Sequence, residues 1–435
     1  MKNMIFFSCL LVCALSLPAF SQQSAAPPST TTDPAVDDRI KALEERIIAL
    51  EGQVRQLKSQ PTAQAASAPA ISGTAATTVN NPPLVQAQVA PETSAASASL
   101  PVYGGASAQA KALNPDISVI GDFIGAAGGN SIQPTPAFQM HESEVGLQAI
   151  IDPYARGDFF LSFGEEGVTL EEGYITLTSL PAGFVVRGGK MRSAFGKVNT
   201  MHNHVLPWID RPLVTQNLVG GEDGIDDAGI SIQRILPAPK GLFLEATGQV
   251  FRGDSGEGEE LVFHAQTKSD VSTVEHLRAY KDLTESTNLD LGVSYARGHN
   301  DLGTNFLTQL YGFDATVRWK PLRRAIYHSF IARSELIWSQ RQQLPVEQRG
   351  FGFYASGDYQ LGRRWFIGGR YDWADRSRDD RLTDKGGSAV LTYWPSEFSQ
   401  IRGQYRRTSY AEGFTANELL MQLQFSLGAH GAHPF

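Results

Sequence analysis

From Pro115 onward, apolar and polar side chains alternate with a period of two residues. The last such run shows the pattern clearly, with one apolar face and one mostly polar face: Leu419, Met421, Leu423, Phe425 and Leu427 against Leu420, Gln422, Gln424 and Ser426. Successive side chains of a β-strand point to opposite faces of the sheet. Each run therefore predicts a strand whose two faces meet different surroundings.

The runs and their connections together favour a transmembrane barrel over a soluble sandwich, in which strands also alternate. Runs such as 310–319 and 365–373 last about nine to eleven residues, the length that a tilted strand needs to cross hydrocarbon. Short turns alternate with longer polar loops, which we expect at 253–272, 298–306, 339–349 and 374–386. Long–short alternation is typical of an outer-membrane barrel. We predict about sixteen strands, the first near Asp116–Gly125 and the last at Glu418–Leu427.

Tryptophan positions and overall hydropathy fit the same prediction. Two aromatic girdles would place tryptophans at both strand ends, as the sequence does: Trp319, Trp365 and Trp394 at turn ends, and Trp338 and Trp373 at loop ends. No segment after the N-terminus has eighteen uninterrupted apolar residues, so a membrane form would be a closed barrel. The predicted fold is an all-β, antiparallel transmembrane barrel over residues 114–435.

The N-terminus predicts export. Lys2 precedes an apolar stretch from Met4 to Leu17, and Ala19 and Ser21 are the small residues of a signal-peptide cleavage site. We expect residues 1–21 to be removed as a signal peptide. Both cysteines of the chain lie within it, so the mature protein would have no disulfide and no thiolate metal site.

Between the signal peptide and the barrel, the sequence predicts a short coiled coil flanked by disordered segments. Residues 22–35 are polar, and residues 59–113 form an Ala/Pro/Ser/Thr-rich linker that cannot bury a core. Residues 36–58 carry a heptad seam, whose oligomerisation positions include Ile40, Leu43, Ile47, Leu50, Val54 and Leu57. This seam favours a dimer by side-chain packing without excluding a trimer; the alternative is a single amphipathic helix lying on a neighbour.

Composition and motifs favour a protein that is not an enzyme and holds no cofactor. The chain has 37 basic and 45 acidic residues, which gives no support for nucleic-acid binding. It contains no nucleophile elbow, no zinc-protease helix motif and no phosphate-binding glycine loop. A lumenal Ser/His/acid set is left open, although no residues nominate one.

The period of two assigns a set of charged residues to the inner face of the barrel. The predicted pore-lining residues are Arg187, Arg278, Arg318, Arg333, Arg370, Arg402, Arg406, Asp314, Glu335, Asp358 and Asp372. The same face carries the acids Glu142, Glu144, Asp158, Glu172 and Asp290. The arginines could form a basic path that attracts anions. Alternatively, acids and bases pair across the wall and hold its shape.

The longest connection, residues 193–226, is predicted to fold inward and narrow the pore. Lys197, His202, His204, Asp210 and Arg211 would then stand at the narrowest point. No metal site is predicted, and His202 and His204 are only weak candidates, because imidazole suits zinc or copper but no third ligand is evident. The acidic run at 222–227 is either a calcium site or an exposed turn.

The order of signal peptide, coiled coil, tether and barrel resembles the phosphate-selective porin O/P family. The motif "GKMRSAFGKVN" at 189–199 resembles the strand and turn that open the family's constriction loop. The resemblance implies a trimeric outer-membrane channel in which Lys190, Arg192 and Lys197 contribute to ion passage. The chain is more weakly similar to TonB-dependent receptors, without their plug domain.

These features predict a porin in the outer membrane of a Gram-negative-type bacterium, with its N-terminal extension in the periplasm. It would let small hydrophilic solutes, anions among them, diffuse passively. Expected partners are outer-membrane lipid, further copies of the chain, and the barrel-assembly machinery, which would read the terminal Phe435. Two alternatives are a substrate-specific channel for zinc or iron chelates, centred on His202 and His204, and a barrel that anchors a periplasmic coiled-coil tether.

Overall fold

The computed structural model describes residues 115–165, 167–256 and 261–428. The expected signal peptide, coiled coil and linker, as well as the terminal Phe435, lie outside these residues. Those expectations therefore stay predictions.

The described residues form sixteen antiparallel strands that close into a barrel. Each strand pairs with its neighbours in the chain, and β1 pairs with β16, with Asp122 opposite Gln424. The fold class and the strand count predicted from the sequence are confirmed. The strands are β1 (Asp116–Gly129), β2 (Phe138–Asp152), β3 (Ala155–Gly164), β4 (Gly167–Leu177), β5 (Phe184–Arg192), β6 (Asp226–Leu236), β7 (Leu242–Phe251), β8 (Ser272–Thr284), β9 (Thr287–Asn300), β10 (Gly303–Trp319), β11 (Phe330–Arg341), β12 (Gln348–Gln360), β13 (Trp365–Arg376), β14 (Asp379–Ser396), β15 (Ser399–Ser409) and β16 (Thr415–Gly428).

Two of the predicted loops are wrong. Strands β9 and β10 are separated by only two residues, 301–302, where a loop at 298–306 was expected. Likewise β13 and β14 pair almost to their tips, with Asp375 opposite Thr383 and Arg376 opposite Asp379, inside the expected loop 374–386. Polar composition suggested a loop there, but a hairpin can continue its ladder with polar side chains wherever it extends into water.

The outward face of the strands is apolar and exposed, as expected of a surface that meets lipid. On β16, the five alternating residues from Leu419 to Leu427 are all exposed, as predicted. Trp319, Trp338 and Trp365 are also exposed. Near the loop end of β11–β13, the ring of Phe351 lies 5.1 Å from that of Trp338 and 5.7 Å from that of Trp373.

Helical structure among the described residues is confined to α1 (Leu213–Leu218) and three single 3-10 turns, at Pro181–Gly183, Val198–Thr200 and Asn203–Val205. None of the described helices is long and apolar enough to cross a membrane.

A charge on the outward face of β16 should destabilise the barrel in proportion to its depth. Met421 lies in the middle of the strand, so we expect Met421→Arg to cost about 2–4 kcal/mol, against about 0–1 kcal/mol for Leu427→Arg on the same face at the strand end. Urea unfolding in lipid vesicles measures both. Equal costs at the two positions would contradict a lipid-facing outer surface.

Candidate functional site

The segment 193–225 connects β5 to β6. Its first and last residues are hydrogen-bonded to each other, and we call this closed base of the loop its neck. The Ser193 amide donates to the carbonyl of Ile225 at 2.8 Å. The Asn199 side chain bridges the same two segments: its amide donates to the carbonyls of Ser193 and Ile225 at 3.0 and 3.1 Å, and its oxygen accepts from the Ile225 amide at 2.9 Å. We call this segment the constriction loop. Its neck holds both ends of the loop at the barrel wall.

The constriction loop is packed against the inner wall through a continuous apolar core. Its buried side chains include Phe195, Val198, Leu206, Trp208, Leu213, Val214 and Leu218. They meet inward residues of eight successive strands: Phe251, Val274, Ala296, Leu310, Ile337, Tyr354, Ala374 and Val390. The rings of Trp208 and Tyr354 lie 5.2 Å apart and nearly perpendicular, a favourable aromatic arrangement. The loop is therefore bound like a protein core, inside a lumen that was expected to be polar.

The first turn of the loop, residues 196–198, docks on β9 and β11 through backbone amides. The Gly196 amide donates to Ser294 Oγ at 2.9 Å, and the amides of Lys197 and Val198 donate to Glu335 Oε1 at 2.9 and 2.7 Å. Gly196 has a φ of +63°, and a Cβ there would lie 2.6 Å from Glu335 Oε2. A larger residue would be strained and would clash, so the glycine of the "FGK" motif is required by this contact.

Asp210 clamps the middle of the loop to β13 and β15. Its Oδ2 accepts from Arg370 at 2.9 Å and from Arg406 at 3.0 Å, and Gln404 donates to Oδ1. Arg370 also donates to the Asp210 carbonyl at 2.8 Å and lies over the Trp208 ring. Burial would raise the pKa of Asp210, but the two guanidinium groups lower it to about 2. The clamp therefore stays charged at neutral pH.

A second polar contact joins the loop to β2 and β4. His202 Nδ1 lies 2.7 Å from Glu144 Oε2 and 2.8 Å from Glu171 Oε2, while its Nε2 lies 3.1 Å from Glu172 Oε2. His204 Nδ1 is 3.7 Å from Glu144 Oε2. Burial disfavours a charged His202, but the three carboxylates raise its pKa well above the ordinary value.

The residues predicted to stand at the narrowest point are mostly buried in the contacts that hold the loop. This applies to His202, His204, Asp210 and Arg211. Arg211 donates to the carbonyls of Val198 and Met201 and to the Asn203 side chain, so it fastens the loop internally. Lys197 keeps partial exposure. Lys190 and Arg192, which were expected to contribute to the constriction, lie at the end of β5.

The constriction loop also covers many of the residues predicted to line the pore. Arg370, Arg402, Arg406, Asp314, Glu335 and Asp372 lie on the inner face but are buried. The remaining predicted residues keep some contact with water: Arg187, Arg278, Arg318, Arg333 and Asp358. The wall is thus divided into a covered part beneath the loop and a wetted part, which includes the turn end of β8 and β10.

On the wetted part, basic side chains project while their acidic partner is recessed. Asp290 is shared by Arg278 at 2.8 Å, Lys197 at 2.8 Å and Arg318 at 3.7 Å. The three basic side chains are 35%, 22% and 28% exposed, whereas Asp290 is 2% exposed. Within these ion pairs, three partly exposed basic side chains share one recessed acid, while Glu245, opposite Arg278, and the buried Asp314 add negative charge nearby.

Alternation alone did not reveal the covered part of the wall. Trp208, Tyr354 and Gln404 were not assigned a role, although they hold the loop in place. A signal was available in the inward positions that carry apolar residues, such as Leu310, Ile337 and Leu420. Each places an apolar group where an open lumen would favour a polar one, and each is buried.

Comparisons with known proteins show which solved structures have a similar fold. No known family model matches the sequence. An uncharacterized protein of Aquifex aeolicus is 28% identical over 334 residues, covering 68% of this chain and 70% of that one. An anion-selective porin from Comamonas acidovorans has a TM-score of 0.51 at 10% identity, covering 72% of this chain and 99% of that chain. The outer membrane channel DcaP of Acinetobacter baumannii has a TM-score of 0.48 at 12% identity, covering 72% and 96%. At these identities, the likeness to the Comamonas porin shows that the chain has a porin-like barrel fold.

Removing the charge of Asp210 should loosen the constriction loop. Asp210→Asn leaves Arg370 with Asp372 and Arg406 with Glu418, so we expect a cost at or below the lower end of the about 3–5 kcal/mol typical of breaking a buried ion pair. We expect Asp210→Asn to increase proteolysis within residues 193–225 and the current noise of single channels. Asp379→Asn, which removes an exposed partner of Arg381, is the control and should change neither. Unchanged proteolysis and noise in Asp210→Asn would contradict the clamp.

The low pKa of Asp210 sets the pH range of this effect. Its pKa is about 2 in the folded protein against an ordinary value of 3.8. The stabilisation is therefore complete above about pH 4 and is lost as the pH falls through 2. We expect the difference in current noise between the wild type and Asp210→Asn to be constant from pH 7 to 4 and to shrink below pH 4. A difference that already shrinks near pH 6 would be inconsistent with the clamp.

Proposed function

We propose that this protein is an outer-membrane porin through which small hydrophilic solutes diffuse passively, with a preference for anions. The observation that carries the proposal is the exposure of Lys197, Arg278 and Arg318 around the recessed Asp290. A porin-like barrel supplies the path, and the charges on its wetted wall supply the preference.

The outer surface supports placement in a membrane. Its strands present exposed Leu, Ile, Val, Phe and Trp side chains to the surroundings, and a closed barrel satisfies every ladder hydrogen bond without a free edge. In this arrangement the turn end of the barrel faces the periplasm, where the predicted N-terminal coiled coil would join copies of the chain into an oligomer.

The constriction loop supports a narrow channel rather than a wide one. It occupies the lumen with a packed core and is fastened at the neck, at its first turn and at Asp210. A fixed obstruction of this kind limits passage by size and needs no energy source. The wetted wall that remains would carry the solute.

The chemistry of the wetted wall favours anions, including chloride and inorganic phosphate. Fixed positive charges on a low-dielectric wall raise the local anion concentration. Guanidinium groups also present paired donors that match phosphate oxygens. Arg187 adds a further positive charge, since within the described residues it makes no ion pair and only rests on the Tyr174 ring, 5.4 Å away.

Reversal potentials of the purified protein in planar bilayers test the proposal. Under a KCl gradient we expect chloride to be more permeant than potassium, and Arg318→Gln to lower the chloride-to-potassium ratio about twofold. This variant should fold, because Asp290 keeps the bonds from Lys197 and Arg278. Arg278→Gln should act in the same direction.

Arg381→Gln is the matched control. This arginine lies on β14 with its side chain 84% exposed, paired with Asp379, and its loss should leave the ratio unchanged. Potassium preference in the wild type would overturn the anion preference. A folded barrel without measurable conductance would overturn the porin function itself.

A further inference from the structure

Three side chains from separate parts of the chain converge on one buried point where the constriction loop meets the wall. Glu144 lies on β2, Glu171 on β4 and His202 in the loop, and they are 1%, 7% and 3% exposed. One carboxylate oxygen of each glutamate and Nδ1 of the imidazole lie within 4.8 Å of one another. We propose that these three residues bind a divalent transition-metal ion, zinc by the nature of the donors, which ties the loop to β2 and β4.

The distances fit a tetrahedral site. Zinc bonds of about 2.0–2.2 Å to imidazole nitrogen and carboxylate oxygen place neighbouring donors about 3.3 Å apart. His202 Nδ1 is 2.7 and 2.8 Å from the oxygens of Glu144 and Glu171, and His204 Nδ1 is 3.7 Å from the same oxygen of Glu144. Small outward shifts of the donors make room for the ion. His204 is near Glu144 but outside the set of donors within 4.8 Å of one another, so it would have to move to become a fourth ligand.

The other nitrogen of His202 has the partner that a metal-binding histidine needs. Its Nε2 lies 3.1 Å from Glu172 Oε2. When Nδ1 binds the metal, Nε2 carries the ring proton and donates a hydrogen bond to this carboxylate. Such a carboxylate–histidine–metal arrangement orients the ring and increases its basicity. This contact is independent of the three proposed ligand atoms.

The charge around the site also calls for a cation. Glu142, Glu144, Glu171 and Glu172 lie together; the basic groups near them are Arg192, 3.4 Å from Glu171, and His141 and Arg211 on the side of Glu142. Glu171 Oε1 is buried and has no hydrogen-bond partner among the described residues. Buried carboxylates are costly unless positive charge compensates them. A divalent ion bound at Nδ1 would take the place of the imidazole proton there and add positive charge where Glu144 and Glu171 meet.

Zinc titration of the detergent-solubilised full chain, after treatment with a chelator, tests the site. Calorimetry should show one zinc ion per chain for the wild type. We expect Glu171→Gln and His202→Gln each to weaken binding at least tenfold, and Glu172→Gln to weaken it less. With cobalt(II) in place of zinc, the wild type should show the strong visible absorption of a tetrahedral site, and the two ligand variants should lose it.

Asp226→Asn is the matched control for charge. It removes a buried carboxylate that neighbours Arg192 and pairs with Lys190, but no proposed ligand, so it should leave zinc affinity within about twofold. Heat-dependent gel migration tests whether each variant is a folded barrel. His202→Gln alters only the loop, so it still tests zinc binding if Glu171→Gln does not fold. Absence of zinc binding by the wild type, or equal loss in Asp226→Asn and the ligand variants, would overturn the proposal.

Discussion

The hydrogen-bonded pairing of β1 with β16 is the constraint on which the rest of the structure depends. It joins the two ends of the sheet, so the backbone polar groups of all sixteen strands are paired within one closed ladder. Closure also separates two surroundings. The exposed apolar residues share the outside, and the charged residues share an inside where low dielectric strengthens the ion pairs buried beneath the loop.

That separation explains why the constriction loop docks so firmly. Within the barrel, its apolar side chains find inward residues such as Leu310, Ile337 and Val390, and both partners leave water together. The buried Asp210 then finds Arg370 and Arg406 on the same wall. Apolar packing supplies the adhesion, while the ion pairs fix the position of the loop, because charges buried without partners would be far more costly than charges in water.

The inner wall consequently has two kinds of charge. Beneath the loop, Arg370 and Arg406 pair with Asp210 and hold structure, which is one of the two interpretations that the sequence left open for the arginines. Around Asp290, the acidic partner is recessed and the basic side chains reach water, which supports our proposal of a basic path there. The same residue types thus serve adhesion in one part of the lumen and, as we propose, attract anions in the other.

The amino-acid sequence by itself determined the strands, their number and their apolar face, because alternation is a local property that each strand carries within about ten residues. It also indicated that residues 193–226 form the distinctive connection. Only the tertiary structure decided what the charged residues do. Lys197 meets Asp290, and His202 meets Glu144 and Glu171, across long separations in the chain. Those meetings depend on strand register and on the path of one loop through the lumen, and no local pattern encodes either.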